Sequence, residues 1–505
     1  MESAFCLPLG MLYLSRKGEK MKDRLYEKLE ELNATNEYAF HMPGHKRKIT
    51  GSAFDAAMKL DITEIEGFDY LHHPEDILKK EQEYASRLYG SKKTFFLING
   101  STCGVLAAIC ATTKDGDTML MARNSHKSAY NAAYIKDLKV CYIHPQVSKE
   151  KPYIYGKISA KEVAMKMDET NAKVVFLTSP TYEGIVSNIS EIGDEVHKRQ
   201  GILIVDEAHG AHLGFHDDFP KSAVSEGADI VIQSMHKTLP CLTQTALLHI
   251  CSERVCASKI AMQLSVFQTS SPSYVLMGSM SYCIHLLQEQ GGELFEAYAN
   301  RLQAFYKKTR QLKHLKILTE KNVKDLYQAQ FDPSKINICV EGLKSTEGRP
   351  YGGKELAKDL LEKYQLQMEM VSEKYVLAMT SICDTQEGFD RLEKALFEID
   401  EALYDMESKM EEDRENSYEK PISIKTEMSI KAAIEAEKEC VKWIDCIGKI
   451  SAEYIYLYPP GSPILTPGEV VSEEIWKKIE AYKDRGLNIQ GTNDYQLDTL
   501  LIVKK

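Results

Sequence analysis

The sequence predicts an α/β protein with a large domain built on a mostly parallel, seven-stranded sheet. Three observations lead there. Seven short apolar runs lie between Phe95 and Ile250, and they lack the apolar–polar alternation of strands with one wet face. Most are separated by stretches long enough for a crossover helix. Several stop abruptly at a polar or glycine-containing string, the place where an open α/β sheet gathers its ligand-binding residues.

Taken in order, the first strand is Phe95-Phe96-Leu97-Ile98, followed by Asn99-Gly100-Ser101-Thr102 and an apolar helix-like stretch to Thr113. Thr118 to Met121 is the second and leads to Arg123-Asn124-Ser125-His126; Val140 to Ile143 is the third. Val174 to Leu177 is the fourth, with Thr178-Ser179-Pro180-Thr181-Tyr182 after it. Ile202 to Val205 ends in Asp206, Ile230 to Ile232 runs to Ser234-Met235-His236-Lys237, and Thr245 to Ile250 is the seventh. Helices on both faces would bury these strands. Beyond about residue 280 the texture changes to a long helical pattern over 286–313 and an α+β region with strands at Lys335–Val340 and Tyr375–Ala378. A mostly charged run from Glu407 to Lys420 precedes Pro421 and reads as a helix end plus linker. The expected units are an N-terminal extension and arm (1–45), a large domain (46–280), a small α+β domain (281–406), a charged linker (407–428) and a C-terminal α+β domain (429–505).

Composition narrows the function. Of 505 residues, 43% are hydrophobic and 27% charged, enough for a large core. The formal net charge of -11 argues against a nucleic-acid footprint and is compatible with a cationic substrate. The 12 cysteines are scattered without a C-x-x-C pair, which excludes zinc ribbons and thioredoxin-type motifs and suits reduced thiols in the cytoplasm. No apolar run approaches a membrane span of about 18 residues. The mildly apolar Ala4–Leu14 has no preceding Lys or Arg and reads as an N-terminal extension; Met21 is an alternative start.

Each strand-end residue has a bland reading on its own. Ser101 and Thr102 are ordinary helix caps, His126 an ordinary loop histidine, Asp206 and Lys237 ordinary paired charges. Together, a phosphate cradle at a helix start, an imidazole, a carboxylate and a lysine are the parts of a pyridoxal 5'-phosphate (PLP) site. Such a site needs a Schiff-base lysine, a carboxylate for the pyridine nitrogen, a planar group on the ring face and donors for the phosphate. The competing motifs fail. Asp206-Glu207-Ala208-His209 spells a helicase box, but no G-x-x-x-x-G-K-[ST] loop precedes it. No G-x-G-x-x-G follows a strand, and His209, His212 and His216 have no fixed metal-ligand geometry, so no metal is expected.

The order of these motifs resembles the fold-type I PLP enzymes, and specifically the ornithine/lysine/arginine decarboxylases. The strings that carry it are His41-Met42-Pro43-Gly44-His45-Lys46, Asn99-Gly100-Ser101-Thr102, Asn124-Ser125-His126-Lys127, Ser179-Pro180-Thr181-Tyr182-Glu183-Gly184, Val205-Asp206-Glu207-Ala208-His209-Gly210, Ser234-Met235-His236-Lys237 and Tyr458-Pro459-Pro460-Gly461. The first already starts at His41, so the chain looks like the short bacterial form without an N-terminal wing domain. The resemblance implies an aspartate-aminotransferase-like large domain and PLP carried by Lys237. It implies Asp206 on the pyridine nitrogen, His126 stacked on the ring, and Ser101, Thr102, Ser234 and His236 around the phosphate. Ala208 and His209 would line the pocket, His209 at a position where the family accepts other residues. It further implies an active site at a homodimer interface, and loss of carbon dioxide from a basic amino acid, arginine ahead of lysine and ornithine, to give a polyamine or its precursor. The residues of a distal cation pocket are not visible in the sequence. The competing readings are an aminotransferase, for which Arg349 and Arg391 would be the carboxylate ligands, and a catalytically silent PLP-fold paralogue, which would be expected to lack the lysine or the aspartate.

Overall fold

A computed structural model describes residues 24–47, 51–405, 424–457, 463–484 and 488–504. The seven apolar runs are strands of one sheet: β1 (Lys93–Leu97), β2 (Thr118–Ala122), β3 (Lys139–Ile143), β4 (Val174–Thr178), β5 (Ile202–Asp206), β6 (Ile230–Gln233) and β7 (Ala246–Ile250). Their spatial order is β1-β7-β6-β5-β4-β2-β3. Pairing is parallel from β3 through β6, and β7 alone runs against both of its neighbours. The interior strands are buried on both faces, which is why they read as unbroken Val, Ile and Leu. In this register Thr178 lies beside Asp206, and Asp206 beside Ile232, so the polar strings that follow β4, β5 and β6 emerge at one edge.

Three of the expected boundaries are crossed by elements or contacts. A helix, α1 (Leu25–Ala34), lies within the expected N-terminal extension and arm; Leu25, Leu29 and Leu32 recur at helical spacing and are buried in the same core as the large domain. Each such leucine contributes about 1.5–3 kcal/mol by leaving water. The boundary after residue 280 falls inside a 36-residue helix, Tyr274–Thr309, whose buried residues join the large domain, α1 and the small domain in one apolar cluster. Residues 424–428, expected in the linker, already pair with the C-terminal unit, where Thr426 bridges to Glu469 and the Glu427 N–H donates to the Gly468 carbonyl. The extension up to residue 23, the linker from 406 to 423, and Tyr458-Pro459-Pro460-Gly461 lie outside the described residues.

The small domain is a four-stranded sheet in which β8 (Lys335–Cys339) pairs antiparallel with β9 (Tyr375–Met379). The C-terminal unit pairs Lys438–Lys442 with Thr499–Val503 and docks on the large domain through an ion pair. Arg123, just past β2, forms a bidentate contact with the buried Glu469 at 2.6 and 2.9 Å and donates to the Ile464 carbonyl at 2.9 Å.

Candidate active site

The strand ends gather His126, Asp206, His209, His236 and Lys237 into one pocket of mutually interacting groups. After β1 the chain turns at Gly100, whose φ of +74° suits glycine, and starts the helix α2 (Gly100–Thr112). Ser101 and Thr102 occupy its first turn, and their hydroxyls make no protein hydrogen bond among the described residues. After β2, His126 caps the helix α3 (Lys127–Ile135): its Nδ1 accepts from the Ser128 N–H at 3.3 Å and lies 2.9 Å from the Ser128 hydroxyl. Asp206 closes β5 and accepts from the Ala208 N–H at 3.1 Å. Lys237 follows β6, and its Nζ lies 3.0 Å from His209 Nε2. His236 Nδ1 is tied to the Thr245 carbonyl at 2.8 Å, so that nitrogen is the donor.

Burial sets the charges. It lowers the Lys237 pKa; Lys335 works in the same direction, and Asp206 and Glu369 oppose them. Burial raises the Asp206 carboxyl, held back by Lys237 and by the Ala208 N–H. Burial, helped by Lys237, brings His126 down to about 4 and holds His209 well below its ordinary range, so both rings are neutral at pH 7. His236 is lowered by burial too, against the Thr245 bond.

Two residues of the small domain reach this pocket without any signal in the sequence. Glu369 accepts from the Tyr182 hydroxyl, and the Tyr182 ring lies 4.5 Å from that of His209. Lys335, fully buried, has its Nζ 3.4 Å from the His209 carbonyl. The aminotransferase reading finds no arginine here. Arg349 is exposed and pairs with Glu347 at 3.2 Å, while Arg391 donates to the carbonyls of Tyr364 and Gln365. The three histidines diverge as well: His209 meets Lys237, His212 meets Asp332 at 3.1 Å and His216 meets Glu296 at 3.1 Å. No cluster able to hold a metal ion occurs among the described residues.

The family model for the major domain of Orn/Lys/Arg decarboxylases matches residues 24–387, and that for their C-terminal domain matches residues 410–485. The chain belongs to the Orn/Lys/Arg decarboxylase family. An arginine decarboxylase of Bacillus subtilis is 29% identical over 95% of this chain and 98% of its own length. One of Halalkalibacterium halodurans is 31% identical over 93% and 95%. The crystal structure of a Francisella novicida lysine decarboxylase, 20% identical, shares the fold with a TM-score of 0.79 over 95% of this chain and 80% of that one. As a family member the chain is a PLP-dependent decarboxylase of a basic amino acid.

The pocket fits that cofactor. The Ser234 hydroxyl is fully buried with no hydrogen-bond partner, a cost of about 1–3 kcal/mol unless a ligand acceptor meets it. His209 Nδ1 is likewise buried and unpartnered. With the open N–H groups and hydroxyls at the start of α2, the Ser234 hydroxyl is a donor for a phosphate, and Asp206 is a buried carboxylate suited to a protonated ring nitrogen.

Proposed function

We propose that Lys237 carries the cofactor, that Asp206 keeps a proton on its pyridine nitrogen, and that His126 packs on its ring. In the same reading Ser101, Thr102, Ser234 and His236 hold the phosphate, and Ala208 and His209 line the pocket. When bound, PLP supplies the electron sink for breaking the bond from Cα to the carboxylate. The protein does the rest. Lys237, its pKa lowered by burial, gives up a proton more readily than an exposed lysine, so it is suited to deliver one to Cα after carbon dioxide leaves. The dry surroundings of Asp206 and His209 exclude water that would protonate the wrong atom.

The substrate is arginine first, then lysine, then ornithine, and the product is the corresponding polyamine or its precursor. The observation that carries a basic substrate is Glu369, a carboxylate at the pocket mouth that acts electrostatically on Lys237 and is oriented by Tyr182. A guanidinium offers it a planar fork, an ammonium a single point charge. Arginine decarboxylases among the similar chains support that order. We also place the enzyme in the cytoplasm, with its described cysteines all free, and read it as a homodimer. Phe40 is 91% exposed on one chain, and Met42, Phe54, Leu242 and Val266 are exposed too, apolar area that a second copy would cover.

Carbon dioxide release from arginine, lysine, ornithine and norleucine tests the reading. Arginine should lead, and norleucine should fall at least about tenfold behind, because a neutral methyl forgoes the charge-assisted contact that a guanidinium makes with Glu369. Equal kcat/KM for norleucine and arginine would remove the cation pocket. Glu369→Gln should raise KM for arginine and leave norleucine unchanged.

A further inference from the structure

We propose that Lys335 is a second lysine of the active site, a positioning residue whose charge, brought in by the small domain, opposes protonation of Lys237. The inference rests on the reading of Lys237 as the cofactor's carrier.

Lys335 opens β8 and is 0% exposed. A lysine is costly to bury, and an aliphatic side chain would fill the same space without that cost. The chain makes room for it. Gly184, at φ +97°, passes so close that a Cβ there would lie 2.9 Å from Lys335 Cβ and Cγ and 2.9 Å from the Asp332 carbonyl oxygen. The Lys335 ammonium is held loosely, by Ser334 Oγ at 3.3 Å, the His209 carbonyl at 3.4 Å and Asp332 Oδ2 at 3.4 Å. Asp332 is divided among several partners. Its Oδ1 takes His212 Nε2 at 3.1 Å and the Ser334 N–H at 3.0 Å, while its Oδ2 has the Lys335 contact and no hydrogen bond. Although burial raises it, His212 and Lys335 hold the Asp332 carboxyl well below its ordinary range, so an ionised Asp332 at 3.4 Å offsets part of the Lys335 charge.

That charge is one residue away from the reacting lysine. His209 touches Lys335 with its carbonyl and Lys237 with its ring, at 3.4 and 3.0 Å. The groups that act on Lys237 are Asp206, Glu369, Lys335, His126, His209 and His236. The three imidazoles are neutral at pH 7. Two carboxylates favour the ammonium form of Lys237, and Lys335 is the cation set against them. Because Lys335 arrives on the small domain, Lys237 reaches full reactivity with that domain docked.

The test is competitive acetylation of the full chain at a series of pH values, with labelling of Lys237 read by mass spectrometry. With PLP bound, Lys237 should be protected; labelling undiminished by PLP would overturn the carrier reading, whatever the variants do. With PLP dialysed out, the pH midpoint of Lys237 labelling should rise by about one unit in Lys335→Met, a tenfold drop in the neutral amine at a given pH. It should stay at the wild-type value in Lys335→Arg. It should fall in Asp332→Asn, which frees the Lys335 charge. Opposite shifts in the two variants are what an electrostatic role demands; a merely structural role moves both the same way. An unmoved midpoint in Lys335→Met with native circular dichroism, or shifts of the same sign, overturns the proposal. If Lys335→Met fails to fold, the sign in Asp332→Asn decides alone.

Discussion

Two neighbouring carboxyls show how position on a strand divides labour. Asp206 and Glu207 follow one another at the end of β5, so their side chains leave on opposite sides. Asp206 faces the pocket. Asp206→Asn should leave PLP bound while lowering kcat at least about a hundredfold, since an amide cannot hold the ring nitrogen's proton; near-normal kcat would place Asp206 outside the chemistry. Glu207 faces inward, accepting from Ser222 Oγ at 2.6 Å, Gln233 Nε2 at 2.6 Å and the Ala223 N–H at 2.8 Å. Burial raises it from 4.5 to about 7, although these donors pull it down. The folded chain therefore holds this proton more tightly than the unfolded one. Its contribution is fully present below pH 4.5 and is lost as pH rises toward 7, by about 3 kcal/mol. Glu207→Gln should remove that slope from stability measured by denaturant between pH 4.5 and 7; an unchanged slope would assign it to other groups. At this scale the sequence was legible where a residue's position follows from its place after a strand, as for Asp206 and Lys237, which the fold brings within electrostatic reach of each other. It was silent on Glu369 and Lys335, which lie 132 and 98 positions beyond Lys237 and arrive only through folding of the small domain.

Secondary-structure elements hold the pocket by a few buried contacts. The turn Ser179–Gly184 after β4 is latched to the small domain: the Asp332 N–H donates to the Gly184 carbonyl at 2.8 Å, Asn337 Nδ2 to the Glu183 carbonyl at 2.8 Å, and the Tyr375 hydroxyl to Glu183 Oε1 at 2.7 Å. Gly184→Ala combines a left-handed φ with contacts to Asp332 and Lys335 that must give way. It should cost on the order of 2 kcal/mol or more in thermal or denaturant unfolding, and a neutral effect would show that the latch is slack. The C-terminal unit depends on Arg123 and Glu469 in a similar way. Glu469→Ala leaves the Arg123 guanidinium, 12% exposed, with the Ile464 carbonyl but no carboxylate, and a loss of about 3 kcal/mol should appear as earlier proteolysis of the C-terminal unit. Wild-type protease resistance would mean that the docking is carried elsewhere. Elements were legible when their pattern was local. The strands of the large sheet are apolar runs with polar ends, but α1 is a short amphipathic segment whose partner, the helix Tyr274–Thr309, lies some 250 positions later.

The whole molecule is a large domain and a small domain sharing one apolar core, with a C-terminal unit attached at the strand ends. Its main sheet could be read from the sequence because interior strands buried on both faces carry no alternation; the shared core could not, because it is made by the long helix that crosses the expected boundary at residue 280. The proposed dimer belongs to this scale. Sedimentation should show a dimer at micromolar concentration, and Phe40→Asp should weaken it; a monomer with full specific activity would refute it. The chemistry of the whole molecule turns most on which lysine carries the cofactor. Borohydride reduction of the holoenzyme followed by peptide mapping reads this directly. The phosphopyridoxyl mass should fall on the peptide containing Lys237, in a single modification; a tag on Lys335 or any other lysine would contradict the account.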